Sequence, residues 1–222
     1  MKTRIKFCGL VRAQDVDTAV ALGVDAVGFV FYPKSPRLLA FDEAAALRRR
    51  LPSWVSAVGL FVNATEHAVR AARAEVGLDV IQFHGDESPE HCQIAAGSAA
   101  WWRGIRMRSP ADLLNSFEVF SGAEALLVDS FHPGYGGSGQ AFDWSWVPQD
   151  RPVPLVLSGG LDAGCVGSAM AQVRPQAVDV SSGIQGNDPR TKDSDRMAAF
   201  VQAVIETDAR FVSTSQSGQT VS

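Results

Sequence analysis

A cysteine at position 8 and an aspartate at position 129 each stand at the end of a short apolar run. A thiol serves as a general base when its pKa falls toward neutrality beside a cation or a helix N-terminus. A carboxyl serves as a general acid when desolvation raises its pKa. Taken singly, a cysteine that closes a strand is a small core residue. The acid at the end of a second run makes Cys8 and Asp129 a candidate acid–base pair. Arg37 is a third candidate, because it follows Tyr32-Pro33-Lys34-Ser35-Pro36 and the two prolines stiffen the segment that presents it. Its guanidinium matches a carboxylate in bidentate fashion, with a solvated surface arginine as the alternative.

A second group of residues offers backbone rather than side chains. Gly159-Gly160 and Ser181-Ser182-Gly183 follow two apolar runs near the C-terminus. Glycine lets backbone N–H groups approach a ligand closely, and such loops bind phosphate in barrel enzymes. The stretch 134–139 holds four glycines in six residues. Gly136, Gly137 and Gly139 there suit a lid that excludes water rather than a nucleotide fingerprint. Asn63, Gln82, His84, Asp86 and Arg106 stand at or just after the ends of other runs. Cys92 and Cys165 lie in helical stretches and read as packing residues.

These positions depend on the elements that carry them. Apolar runs fall at 3–8, 26–31, 56–62, 80–84, 101–105, 125–129, 153–157 and 177–180, and their starts are 21 to 30 residues apart. That is the length of a strand plus a crossover helix. The runs are continuously apolar, as in Ala26-Val27-Gly28-Phe29-Val30-Phe31, which marks parallel strands buried on both faces. The connecting stretches are amphipathic. Val16, Ala19 and Val20 form a helical stripe that Gly23 terminates, and Arg48-Arg49-Arg50 suits a helix C-terminus. Asn63-Ala64-Thr65-Glu66 reads as a capping box with Asn63 as the cap. Residues 162–173 read as a helix. Eight such units in 222 residues predict an α/β chain folded as a single-domain (β/α)8 TIM barrel. An open Rossmann-type sheet is the alternative. Residues 1–207 are assigned to the barrel, and 208–222, ending in a polar stretch, to a flexible tail.

Composition narrows the partners. A net charge of −4 gives no basic face for nucleic acid. No apolar run reaches membrane-spanning length, and the N-terminus has no secretory apolar segment, so a cytoplasmic protein is expected. Three widely spaced cysteines and four histidines without a ligand motif predict neither a disulfide framework nor a metal site.

Read together, these residues resemble phosphoribosylanthranilate isomerase, a family of tryptophan biosynthesis. The resemblance rests on Lys6-Phe7-Cys8-Gly9-Leu10, 25–31, Ser35-Pro36-Arg37, 58–63, Gln82-Phe83-His84-Gly85-Asp86-Glu87, Leu127-Val128-Asp129-Ser130, 136–144, Ser158-Gly159-Gly160-Leu161 and 178–183, in the family's order. It implies a ribulose-phosphate-binding barrel that carries out an Amadori rearrangement with no cofactor and no metal. N-(5'-phosphoribosyl)anthranilate would become 1-(2-carboxyphenylamino)-1-deoxyribulose 5-phosphate. It further implies Cys8 as base and Asp129 as acid. Arg37, Gln82, His84, Gly159, Gly160, Ser182 and Gly183 would bind the sugar phosphate, in a monomer or homodimer. Gln185 stands where many members carry glutamate. The alternatives are a histidine-pathway or dual-substrate aminoaldose isomerase, which carries an aspartate where Cys8 stands, and a barrel that binds a sugar phosphate without turnover. An indole-glycerol-phosphate synthase-like barrel would need lysines at strand ends, whereas Lys6 lies inside a run.

Overall fold

The computed structural model of the chain describes residues 2–131 and 141–217. Eight parallel strands close into a barrel in sequence order: β1 (Arg4–Cys8), β2 (Ala26–Val30), β3 (Ser56–Phe61), β4 (Val80–Phe83), β5 (Ala100–Met107), β6 (Ala125–Ser130), β7 (Leu155–Leu157) and β8 (Ala177–Val180). β1 pairs with both β2 and β8, and the closing register sets Lys6 opposite Asp179. All five residues of β2 are buried, as its continuous apolar run requires. The single-domain barrel expected from the spacing is therefore the observed fold.

Outside the sheet lie α1 (Ala13–Ala21), α2 (Phe41–Arg48), α3 (Glu66–Val76), α4 (Pro89–Ala96), α5 (Pro110–Val119), α6 (Val166–Val173) and α7 (Ser194–Ser217). Side chains alternate across each strand. On β1, Phe7 faces outward and meets Phe200 of α7 edge-on, with centroids 6.1 Å apart. Lys6 and Cys8 occupy the opposite face, inside the barrel. The main core lies between sheet and helices. Two small clusters fill the barrel itself and share Trp102 at their edge. Burying each large apolar side chain of this core contributes about 1.5–3 kcal/mol, and Phe200→Ala removes one such contact.

Three expectations need correction. Eight strand–helix units do not all appear. Among the described residues the connection from β6 to β7 carries a single 3-10 turn (Trp144–Trp146), and Phe142, Trp144 and Trp146 pack on the core in place of a helix. Asn63 does not cap α3. Thr65 does, accepting from Ala68 N–H, while Asn63 takes a left-handed backbone (φ 52°) that asparagine tolerates. The Asn63 carboxamide accepts from Asp86 N–H at 2.7 Å, tying the loops after β3 and β4. The tail does not begin at 208, because α7 runs on to Ser217. Asp208 accepts from the N–H and hydroxyl of Thr3, both at 2.7 Å, and Phe211 lies under the Arg174 guanidinium.

Candidate active site

A cavity of about 190 Å³ opens at the C-terminal ends of the strands, where a barrel carries its chemistry. Cys8, Arg37, Asp129, Gly159, Gly160 and Ser182 all line it. Five segments far apart in sequence meet there because each follows the end of a strand.

Cys8 ends β1 and is buried. Its Sγ and the Lys6 Cε pass directly over Gly28 of β2, where a Cβ would approach them to 2.9 and 3.2 Å. Glycine at 28 is thus what lets the thiol and the ammonium stem lie side by side. Lys6 Nζ forms an ion pair with Asp179 at 2.8 Å, both side chains almost fully buried. Burial pushes the Cys8 thiol up from its ordinary pKa, while the charges of Lys6 and Lys192 pull it back. The lowered pKa under which a thiol acts as a base is thus not what burial favours at Cys8. The cations that stabilise a thiolate are present, but desolvation outweighs them in the free protein.

Asp129 projects from β6. Its Oδ1 accepts from Ser130 N–H at 2.8 Å, and its Oδ2 lies 3.4 Å from His84 Nε2. Gly159, with φ 88°, permits this arrangement, since a Cβ there would come within 2.5 Å of Ser130 N and 2.9 Å of Asp129 Oδ1. Gln82 and His84 do not line the cavity. They sit buried behind Asp129, with Gln82 Nε2 3.2 Å from His84 Nδ1. This contact holds the imidazole with its Nε2 toward the Asp129 carboxyl. His84 is thus the neighbour of Asp129, and Gln82 the neighbour of His84.

The loops after β7 and β8 pack tightly. A Cβ on Gly183 would lie 2.0 Å from the Leu161 carbonyl, so this glycine serves the contact between the loops, while Gly160 and Ser182 face the cavity. Ser181 donates to the Cys8 carbonyl at 3.0 Å, and Lys192 Nζ donates to Ser181 O at 2.8 Å. Burial and the nearby Arg37 charge lower the Lys192 pKa to about 8. Arg37 donates from Nε to the Pro189 carbonyl and from Nη2 to Gln185 Oε1. Among the described residues no carboxylate lies within ion-pair distance of it. Gly136, Gly137 and Gly139 lie outside the described residues.

Sequence reasoning missed Asp179, Lys192 and the partnership of Lys6. A signal existed: Lys6 and Asp179 are charges flanked on both sides by apolar residues within their strands, and both are buried, whereas Arg4 at the start of β1 is exposed. Such charges are kept only when paired. Cys92 stays a packing residue in α4, its thiol pushed up by burial to about 12, and Cys165 precedes α6.

The comparisons agree with this geometry. A family model described as N-(5'phosphoribosyl)anthranilate (PRA) isomerase matches residues 5–203. The chain is 53% identical over 210 residues to the N-(5'-phosphoribosyl)anthranilate isomerase of Methylibium petroleiphilum, covering 95% of this chain and 97% of the relative. It is 49% identical to that of Dechloromonas aromatica, covering 94% and 99%. The crystal structure of phosphoribosyl anthranilate isomerase from Thermotoga maritima superposes with a TM-score of 0.86 at 37% identity, covering 92% of this chain and 99% of that one. A second structure of such an isomerase holds reduced 1-(o-carboxyphenylamino)-1-deoxyribulose 5-phosphate. It superposes with a TM-score of 0.83 at 34% identity, covering 92% and 99%. With the barrel, the strand-end cysteine and aspartate and these matches together, the chain belongs to the N-(5'-phosphoribosyl)anthranilate isomerase family.

Proposed function

We propose that the chain converts N-(5'-phosphoribosyl)anthranilate to 1-(2-carboxyphenylamino)-1-deoxyribulose 5-phosphate, a step of tryptophan biosynthesis, with Cys8 as base and Asp129 as acid. The observation that carries the assignment is their placement on one cavity, from strands β1 and β6, between a glycine–serine cradle and an arginine without a carboxylate partner.

The chemistry follows from those groups. Protonated Asp129 gives its proton to the furanose ring oxygen. The anilino nitrogen lone pair pushes toward C1, the C1–O bond breaks, and a protonated Schiff base forms. The Cys8 thiolate removes the C2 proton, and the C2–H electron pair flows toward C1 and neutralises the iminium nitrogen. The resulting enolamine gains a proton at C1 and loses the one on its C2 hydroxyl, leaving the ketone. No electrons enter or leave, so the net change is an isomerisation.

Substrate charge suits the walls. The anthranilate carboxylate takes the free edge of Arg37, and the phosphate takes the backbone donors around Gly160 and Ser182. Lys192, just behind Ser181, adds positive potential at that end. The complex of a family member with a reduced product analogue supports this substrate class.

The test is the loss of anthranilate-type fluorescence when wild-type protein meets freshly generated phosphoribosylanthranilate. Rapid, saturable loss is expected. No turnover by protein shown folded by circular dichroism would reject the assignment.

A further inference from the structure

The carboxylate-binding reading of Arg37 raises a further point. A long arginine at a cavity rim loses much rotamer freedom when it meets a ligand, unless the protein has already fixed it. Here it is fixed, and the loop after β8 does the fixing. Residues 185–192 form a short hairpin in which Gln185 and Lys192 pair antiparallel and Gly186 N–H donates to Thr191 O at 3.0 Å. The hairpin base is anchored to α1. Lys192 N–H donates to Asp15, and Arg12, itself paired with Asp15, donates to the Lys192 carbonyl.

From this base the hairpin grips the Arg37 loop twice. Arg190 Nη1 donates to the carbonyls of Pro36 at 2.9 Å and Leu38 at 3.1 Å, the two residues that flank Arg37. Pro189 O and Gln185 Oε1 then accept from the Arg37 side chain itself. Gly9 completes the seat, because a Cβ there would lie 2.4 Å from Arg37 Cδ. A guanidinium has five N–H groups. One on Nε and one on Nη2 are used by the hairpin, leaving the Nη1/Nη2 edge for a bidentate contact.

We propose that Arg190 is a positioning residue for substrate binding. By holding the Pro36 and Leu38 carbonyls it keeps Arg37 in the orientation that receives the substrate carboxylate, without touching the substrate itself. This rests on Arg37 being the carboxylate site. Arg190 does not line the cavity, so its effect should appear in binding and not in the chemical step.

The experiment compares Arg190→Met, Arg190→Lys, Arg37→Met and the Arg190→Met/Arg37→Met double variant. KM and kcat are measured for each, with inhibition by inorganic phosphate as a probe of the other end of the site. Arg190→Met should raise KM about 3- to 10-fold, the scale of losing preorganisation of one side chain, with kcat within about 2-fold and phosphate inhibition unchanged. In the Arg37→Met background the same change should have no further effect. Both bonds leave one nitrogen of Arg190, and a lysine ammonium carries three N–H groups, so Arg190→Lys should recover part of the wild-type KM that Arg190→Met loses. If Arg37→Met raises KM while Arg190→Met leaves it at the wild-type value, or if the two effects multiply, the Arg190 proposal falls and the carboxylate site stands. Equal weakening of phosphate inhibition also overturns it, since simple attraction of anions would then explain the effect. If Arg37→Met leaves KM unchanged, the carboxylate site falls and the proposal with it.

Discussion

Two buried ion pairs sit at the same end of this barrel, and they are built differently. Arg103 and Glu87 pair at 2.6 Å beside the loops after β3 and β4. Glu87 also accepts from Asn63 N–H at 2.7 Å and Gly85 N–H at 2.9 Å, and Arg103 donates to the Gly85 carbonyl. That pair spends its hydrogen-bonding capacity on backbone, so it fixes loops. Lys6 and Asp179 pair at 2.8 Å beneath the cavity, and their other neighbours are the Cys8 thiol and Ser158 Oγ, the latter at a long 3.4 Å. Asp179 itself lines the cavity. The second pair holds charge beside a reactive group instead of holding backbone. Burial alone does not separate a structural pair from a functional one, whereas the partners each charge keeps do.

Breaking each pair should separate the two roles. Glu87→Gln leaves the Arg103 charge buried with weakened partners and should cost roughly 3–5 kcal/mol of stability, read by urea unfolding. The kcat of the fraction still folded at low temperature should stay near wild type. A loss of kcat without a loss of stability would erase the distinction. Lys6→Met should act the other way. It removes a cation that favours the Cys8 thiolate and should lower kcat by roughly 100-fold, the scale of losing one electrostatic stabiliser in a closed site. It also leaves a buried charge, Asp179, without its partner, so a stability loss accompanies it, and kcat of the folded fraction is the reading that separates the two pairs.

The smallest effect concerns pH. Lys192 has its pKa lowered to about 8, so it is charged below that value and neutral above it. Positive potential behind Ser181 therefore fades as pH rises from 7 to 9. KM for an anionic substrate should rise across this window by about 2- to 3-fold, the worth of one partly screened charge. Lys192→Met should flatten that dependence, and an unchanged slope in the variant would assign it to another group.

How much of this was legible in the sequence follows from what is local. Strand positions were readable because burial on both faces leaves continuous apolar runs, and a strand end near Cys8 or Asp129 is a local fact. Partnerships were not. Lys6 meets Asp179 only because the barrel closes β1 onto β8, a contact across 173 residues with no local trace beyond two charges in apolar strands. Gln82 and His84 stand at a strand end and face the barrel interior like the cavity residues, yet their contacts run to each other and to Asp129. Asn63 looked like a cap because its chemistry suits one, but the same carboxamide served a loop contact two residues before the true cap, Thr65. The polar composition after 208 concealed Phe211 and the bonds from Thr3 to Asp208, which carry α7 onward.

The central claim is that Cys8 and Asp129 exchange protons with the substrate across one cavity. Its most direct test is kcat for Cys8→Ala and Asp129→Asn beside wild type in the same fluorescence assay, with unfolding midpoints measured on the same samples. The account predicts a loss of at least ~100-fold in kcat for each variant, the scale of general acid–base catalysis, with both proteins still folded. Near-native turnover by either folded variant would contradict it.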